Sequence, residues 1–168
     1  YTILKLHFKT ALHIGDKRLT DSEITIGTDT VFSALCHEAI AQGQAKLEQL
    51  VNLAKTNQLI ISDALPFIET DYYIPKPIAY IKRNGDAEDY GNKKAFKKLK
   101  YLPISLLDEF ISGRFDAVDG AKDFAELGKA ETRTNVNISD DTGPYHVGTF
   151  TFSKNAGLYI IIGYTKGF

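Results

Sequence analysis

The stretch from 131 to 152 limits the fold more than any other part of the chain. Its first arm reads Glu131-Thr132-Arg133-Thr134-Asn135-Val136-Asn137-Ile138, and its return arm reads Tyr145-His146-Val147-Gly148-Thr149-Phe150-Thr151-Phe152. Side-chain type alternates along both arms with the two-residue period of a strand. The link, Ser139-Asp140-Asp141-Thr142-Gly143-Pro144, consists of turn formers. The pattern predicts a β-hairpin with Arg133, Asn135 and Asn137 on one face and Thr132, Thr134, Val136 and Ile138 on the other. The first arm is too polar for a core, so the ribbon projects. A projecting polar ribbon either meets a polar partner or is simply solvated. A phosphate chain is one such partner, because Arg, Asn and Thr donate to phosphate and sugar oxygens.

The rest of the sequence supplies a sheet and helices. Residues 1–8 alternate as a strand, with Leu4, Leu6 and Phe8 on one face and Ile3, Lys5 and His7 on the other. A polar loop over 9–24 holds His13-Ile14-Gly15 and the pair Lys17-Arg18. A helix is predicted over 30–42, capped by Thr28 or Asp29, with an apolar stripe of Phe32, Leu35, Cys36, Ala39 and Ile40. Gly43 is placed to end it in a left-handed conformation. A second helix over 45–55 would bury Leu47, Leu50, Val51 and Ala54. A short buried strand follows at 59–62. The proline-framed run Tyr72-Tyr73-Ile74-Pro75-Lys76-Pro77 is stiff and extended and leads into a strand over 78–81.

After a charged loop at 82–91, residues 93–100 form a basic amphipathic segment. Phe96, Leu99 and Leu102 point inward, Lys93, Lys97 and Lys100 line the outside, and Pro103 stops it. Short helices are expected at 106–112 and 122–127, and a central buried strand at 157–164. This order gives an α+β fold with helices on one face of a mostly antiparallel sheet. A ferredoxin-like (RRM-like) βαββαβ core, with the basic helical segment inserted and the hairpin projecting, fits it best.

Composition narrows the chemistry. The 168 residues suit one domain and a sizeable core. With no methionine, and with an end just past an apolar strand, the chain reads as part of something longer. The net charge of -1 gives no global basic field, so a nucleic-acid surface must come from local clustering. A single cysteine, Cys36, excludes an intrachain disulfide and a thiolate metal site, and suits a reducing cytoplasm. Its place on the apolar stripe makes it a buried structural thiol. No apolar run is long enough to cross a bilayer. The four histidines are scattered without metal-ligand spacing, and no phosphate-cradling motif occurs, so no metal and no cofactor are expected.

His13, in a loop beside glycine, is the one histidine with catalytic promise, and a loop-fixing role is the simpler reading. Basic residues cluster at Lys17-Arg18, at Lys76 and over 93–100. The start of the first helix, around Thr28, offers free amides for phosphate, although Asp29 would compete for them. Tyr72, Tyr73 and Tyr145 either stack on unpaired bases or are partly buried.

Taken in order, several segments resemble a known family. They are His13-Ile14-Gly15, Thr28-Asp29-Thr30-Val31-Phe32-Ser33-Ala34-Leu35 and Ser62-Asp63-Ala64-Leu65-Pro66-Phe67. Ile74-Pro75-Lys76-Pro77 and Lys94-Ala95-Phe96-Lys97-Lys98-Leu99-Lys100-Tyr101 come next. Pro144-Tyr145-His146-Val147-Gly148-Thr149-Phe150-Thr151-Phe152 and Gly157-Leu158-Tyr159 complete the set. The set resembles the RAMP-superfamily subunit that caps the crRNA 5′ end in type III-A CRISPR (Csm) effector complexes, over almost the whole chain.

The resemblance implies a non-catalytic, antiviral RNA-binding subunit that grips the single-stranded 5′ handle of the crRNA. It implies docking onto the large polymerase-like CRISPR subunit and onto the first backbone RAMP subunit. It implies an N-terminal ferredoxin-like RAMP domain over 1–168 with its thumb at 131–152. The family's second ferredoxin-like domain is not in this chain, and only Lys166-Gly167-Phe168 remotely resembles its glycine-rich loop. The RNA-contacting candidates are His13, Lys17, Arg18, Ser22, Thr28, Lys76, Lys97, Arg133 and Asn135. Two other functions fit the residues: a RAMP-type endoribonuclease processing precursor crRNA with His13 as general acid or base, and a protein-interaction module whose basic helix meets an acidic partner without RNA.

Overall fold

The computed structural model describes residues 1–15, 18–79, 90–136 and 143–165. In chain order the elements are β1 (Thr2–Leu6), α1 (Thr28–Ala41), α2 (Gln44–Lys55), β2 (Leu59–Ile61), β3 (Leu65–Ile68) and β4 (Asp71–Pro75). They continue with α3 (Tyr90–Lys98), β5 (Tyr101–Pro103), a 3₁₀ turn at Ile104–Leu106 and α4 (Leu107–Ile111). The last are α5 (Ala117–Ala125), β6 (Gly128–Val136), β7 (Pro144–Phe152) and β8 (Ala156–Tyr164). The fold is the expected mixture of helices and antiparallel sheet.

β8 is the organising strand because its run Ala156-Gly157-Leu158-Tyr159-Ile160-Ile161-Ile162 is apolar on both faces. The six-stranded sheet runs β1-β8-β3-β4-β5, and β2 also pairs with β8. β2 and β3 lie end to end along β8, against Ile162–Tyr164 and Ala156–Tyr159 respectively. Ser62 bridges the gap: its amide donates to the Ile161 carbonyl at 3.0 Å and its hydroxyl accepts from the Ile161 amide at 2.9 Å. The interruption lets Asp63 leave the sheet and reach α1. There one carboxylate oxygen, at 2.7 Å, accepts from both the Thr28 amide and the Thr28 hydroxyl.

α1 therefore starts earlier than predicted. Its N-cap is Gly27, with no side-chain cap of its own, and the capping oxygen comes from Asp63. Replacing Asp63 by alanine is expected to cost about 1 kcal/mol, the usual worth of a capping oxygen, read as a lower urea midpoint with an unchanged slope. Gly43 has a positive φ of 124° as expected, but with ψ at 153° it is extended rather than left-handed helical. The two helices bury less than their stripes suggest. Neither has a fully buried residue, and Leu35 and Ile40 are 37% and 42% exposed. Cys36 is half-buried.

The proline-framed run differs from expectation. Residues 71–75 are themselves a strand, β4, between β3 and β5. Residues 78 and 79 are not in a strand and Ile78 is wholly exposed, so an apolar residue after two prolines did not find a sheet. The remainder of the predicted 78–81 strand lies outside the described residues.

Two apolar clusters form the core. The larger joins Leu127, Phe150 and Phe152 at the hairpin root to Leu158 and Ile160 of β8, with Val31 of α1 and Phe124 of α5 packed against them. The smaller joins Leu99, Leu102, Phe110, Phe115 and Ala117, and seats Phe96 of α3. Between them the Tyr73 ring tilts against Phe124 at 5.2 Å, and the Tyr159 hydroxyl donates to the Tyr73 carbonyl at 3.1 Å. Burial, with Asp71 and Asp123 nearby, pushes the Tyr73 phenol up to about 12. The unfolded phenol ionises near 10, so the stabilisation from the protonated form is complete below about pH 10 and lost as pH rises through about 12. Tyr73→Phe should give a shallower fall of urea midpoint between those pH values than the parent protein. Tyr159, raised in the same direction by burial, contributes to the slope that remains.

Candidate nucleic-acid interface

The hairpin is a sheet of its own. β6 and β7 pair in full register from Gly128–Phe152 to Val136–Pro144. Its root starts at 128, earlier than the predicted 131. Arg133 and Asn135 share one face with their cross-strand partners Val147 and Tyr145, as the alternation requires. Both are exposed, and Tyr145 beside Asn135 is 42% exposed. The opposite face carries Thr132 and Thr134, and Thr134 bonds His146 across the strands at 3.1 Å. The third residue of the polar face, Asn137, and the turn at 139–142 lie outside the described residues.

The loop before α1 is seated on this hairpin. Leu12 and Phe150 exchange two backbone hydrogen bonds of 2.9 and 2.7 Å. The Gly148 amide donates to the Leu19 carbonyl at 2.8 Å, and the Gly148 carbonyl accepts from His13 Nδ1 at 2.7 Å. A carbonyl can only accept, so Nδ1 carries the proton in this bond. Gly148 permits this approach: a Cβ there would lie 2.2 Å from the Thr20 carbonyl oxygen. The Thr20 backbone therefore lies over Gly148, whose cross-strand partner is Thr132, while Arg133 and Asn135 stay exposed. A glycine inside an otherwise well-filled strand was the sequence trace of this contact.

The loop closes on itself through Ser22. Its hydroxyl accepts from the Ile14 amide at 3.1 Å and donates to the Glu23 carbonyl at 3.2 Å, and the Glu23 amide meets the Ile14 carbonyl at 2.8 Å. Ser22 and His13 thus shape the loop, while Arg18 stands exposed at its outer turn. Lys17 lies outside the described residues.

Beyond Ser22 the loop reaches the lysine-rich helix. Thr25 Oγ1 and the Tyr101 hydroxyl are 3.4 Å apart, and Ile24 forms part of a groove of about 550 Å³. The groove has an apolar floor of Leu99, Val118, Ala121 and Phe124, with Lys94, Lys98 and Lys100 around it. The sequence had singled out Lys93, Lys97 and Lys100 as the outward row. The helix instead turns Lys94 and Lys98 to the groove, and Lys97 is exposed outside it.

Two further candidates, Lys76 and Thr28, have internal partners. Lys76 donates to the Phe96 carbonyl at 2.9 Å and lies over the Phe96 ring at 4.9 Å, tying β4 to the end of α3. This half-buried ammonium satisfies a helix carbonyl rather than lying free for phosphate. Thr28 is held by Asp63, and the Asp29 carboxylate accepts from the Thr30 amide at 2.8 Å. Two carboxylates occupy the amides that phosphate would need. Tyr73 is buried and does not offer a stacking face, and Tyr72 is half-buried, edge-on to Tyr159 under Lys5. No cluster of three or more metal-ligating side chains exists among the described residues. No described helix is long and apolar enough to cross a membrane.

No family model matches the sequence. The chain is 34% identical over 159 residues to the CRISPR system Cms protein Csm4 of Mycobacterium tuberculosis, in strains CDC 1551 and H37Rv, a match covering 89% of this chain and 49% of each relative. Solved structures share the fold. A Csm1–Csm4 cassette bound to AMPPNP matches at TM-score 0.68 and 22% identity, over 98% of this chain and 60% of that one. A Csm3–Csm4 subcomplex of the type III-A CRISPR-Cas interference complex matches at TM-score 0.60 and 18% identity, over 96% and 57%. The architecture belongs to the class of mixed helix and antiparallel sheet proteins that those Csm4-containing structures represent. Within that class the chain is a homologue of Csm4. It spans about half the length of the curated relatives it matches.

Proposed function

We propose that the chain is the crRNA 5′-handle-binding part of a non-catalytic subunit in a type III-A CRISPR effector complex. In that role it docks a large Csm1-type subunit and a Csm3-type backbone subunit in the cytoplasm. The solved relatives that share the fold were captured with Csm1 and with Csm3, which supports the two protein partners. The observation that carries the RNA reading is how the described parts of the loop, 12–15 and 18–25, are seated. They are hydrogen-bonded to the hairpin at one end and touch the groove around Lys94, Lys98 and Lys100 at the other. Basic side chains from distant parts of the sequence thereby border one connected surface. On it Arg18, Arg133 and Asn135, with Lys94, Lys98 and Lys100 at the groove, are the contacts to phosphate and sugar, while His13 and Ser22 hold the loop in shape. Lys97, outside the groove, and Lys17, outside the described residues, are further proposed contacts. Thr28 and Lys76 serve the fold.

The test uses full-length protein, handle RNA and unrelated single-stranded RNA of equal length. Handle binding should exceed unrelated binding at moderate salt. Arg133→Glu should weaken it and lower the slope of log K against log salt by about 0.7, one phosphate contact on a single strand. Equal binding of the two RNAs would sink the reading. So would RNA cleavage that persists with a chelator present and disappears in His13→Ala, which is the signature of the endoribonuclease alternative.

A further inference from the structure

On the surface of the main sheet, the turn between β3 and β4 faces α5 across an acidic cavity of about 500 Å³. Glu69 comes from the turn and Asp71 from the start of β4, while Asp123 and the C-cap Glu126 come from the end of α5. None of the four carboxylates has an ion-pair partner: among the described residues the one salt bridge is Lys122–Asp119, on the outside of α5. Lys154 lines the cavity too and lies within 4 Å of none of them. An independent feature lies in the wall. Tyr73 is 3% exposed, and its hydroxyl has no hydrogen-bond partner among the described residues. No fully sealed side-chain atom is left unpaired in the described residues, so this hydroxyl reaches accessible surface, and the charges that act on it are Asp71 and Asp123, which line the same cavity. A largely enclosed phenol whose hydroxyl has no protein partner, beside carboxylates that have none, suits a donor-rich cation.

We propose that this cavity is a socket for an arginine side chain presented by a protein partner. The carboxylates are too dispersed to chelate, since no three of them form a group able to hold a metal ion. A planar guanidinium carries five donors in a fork and can reach carboxylates on facing walls while also serving the phenol oxygen. Ile68, Pro103 and Leu106 give the arginine's aliphatic stem an apolar wall. The same charge repels RNA phosphate, so this surface is separate in chemistry from the loop and hairpin, and the inference stands whether or not that surface binds RNA.

The test is a heteronuclear NMR titration of the intact chain with the peptide Ac-Gly-Arg-Gly-NH2. Its citrulline counterpart, which keeps the shape and loses the charge, and spermidine serve as comparison ligands. The arginine peptide should give saturable shifts confined to the amides around 69–73, 123–126 and 154–156. Tyr73→Phe, which removes one hydroxyl, should raise the half-saturating concentration about tenfold, the worth of a charge-assisted hydrogen bond. Asp123→Asn with Glu126→Gln should abolish the shifts while leaving the parent spectrum elsewhere and handle-RNA affinity unchanged. Absence of saturation overturns the proposal, as does equal response to citrulline or a tighter response to spermidine than to the peptide.

Discussion

Gly148→Val is expected to destabilise the protein by about 3 kcal/mol, at the upper end of overpacking effects. The atoms a Cβ would meet are the Thr20 carbonyl oxygen at 2.2 Å, the Thr20 carbonyl carbon at 2.6 Å and the Asp21 amide nitrogen at 2.9 Å. All are backbone, so no rotamer change relieves the clash, and the loop must lift from β7. Lifting removes the Gly148–Leu19 and His13–Gly148 hydrogen bonds and strains the Leu12–Phe150 pair, and it draws Leu12 out of the larger core cluster. Gly163→Ala is the matched control. It is also a strand glycine, but its Cβ would sit 3.7 Å from the nearest atom, Cβ of Ile60, an ordinary contact. Its expected effect is within about 0.5 kcal/mol of zero. Urea unfolding of the two variants separates the cases. If Gly148→Val unfolds at the parent's midpoint, the loop is not seated on the hairpin as described. On the proposed RNA reading, the same variant should lose handle affinity even where it remains folded, because the loop and ribbon no longer share a surface.

The hairpin, the first strand and β8 were legible from sequence because each is governed by a local pattern: alternation in 131–136 and 2–6, and an unbroken apolar run in 156–162. What escaped was decided by contacts between distant residues. The capping oxygen of α1 comes from Asp63, 35 positions beyond Thr28 in sequence, and no helix-start rule looks that far. The Lys76 ammonium meets a carbonyl 20 positions away, which turns an apparent binding residue into a tether. For Tyr73 the sequence left stacking and partial burial both open, because its run is aromatic and proline-framed. Only the pairing of β4 with β3 and β5 shows that it is enclosed. The two site features that spacing alone could not reveal, the loop on the hairpin and the acidic cavity, both join segments with no shared motif. Gly148 was the single local trace of either.

Phe110→Ala should have an effect of similar or greater size, about 4 kcal/mol within the range for a buried aromatic truncated to alanine. The ring is 1% exposed, stacks on Phe96 at 5.5 Å with planes 7° apart, and meets Phe115 edge-on at 6.1 Å. It is thus the piece between the lysine-bearing helix and the segment leading into α5. Phe115 is seated on Gly120, where an added Cβ would lie 2.4 Å from the far end of its ring, so moving over to fill the space would give up that close packing. The cavity left by truncation therefore stays largely open, and the cost stays near the full transfer-plus-cavity value. The two apolar clusters are distinct, so the damage should fall unevenly. Amide exchange should accelerate through α3, α4 and β5 while β1 and β8, in the larger cluster, keep nearly their parent protection. Ile111→Ala, at a neighbouring side chain that is 61% exposed, should change neither quantity appreciably. Uniform acceleration across β8 and α3 alike would mean that the clusters unfold as one unit. The lysine helix would then be fixed to the main sheet more firmly than its Lys76 tether and its Phe96 contact account for.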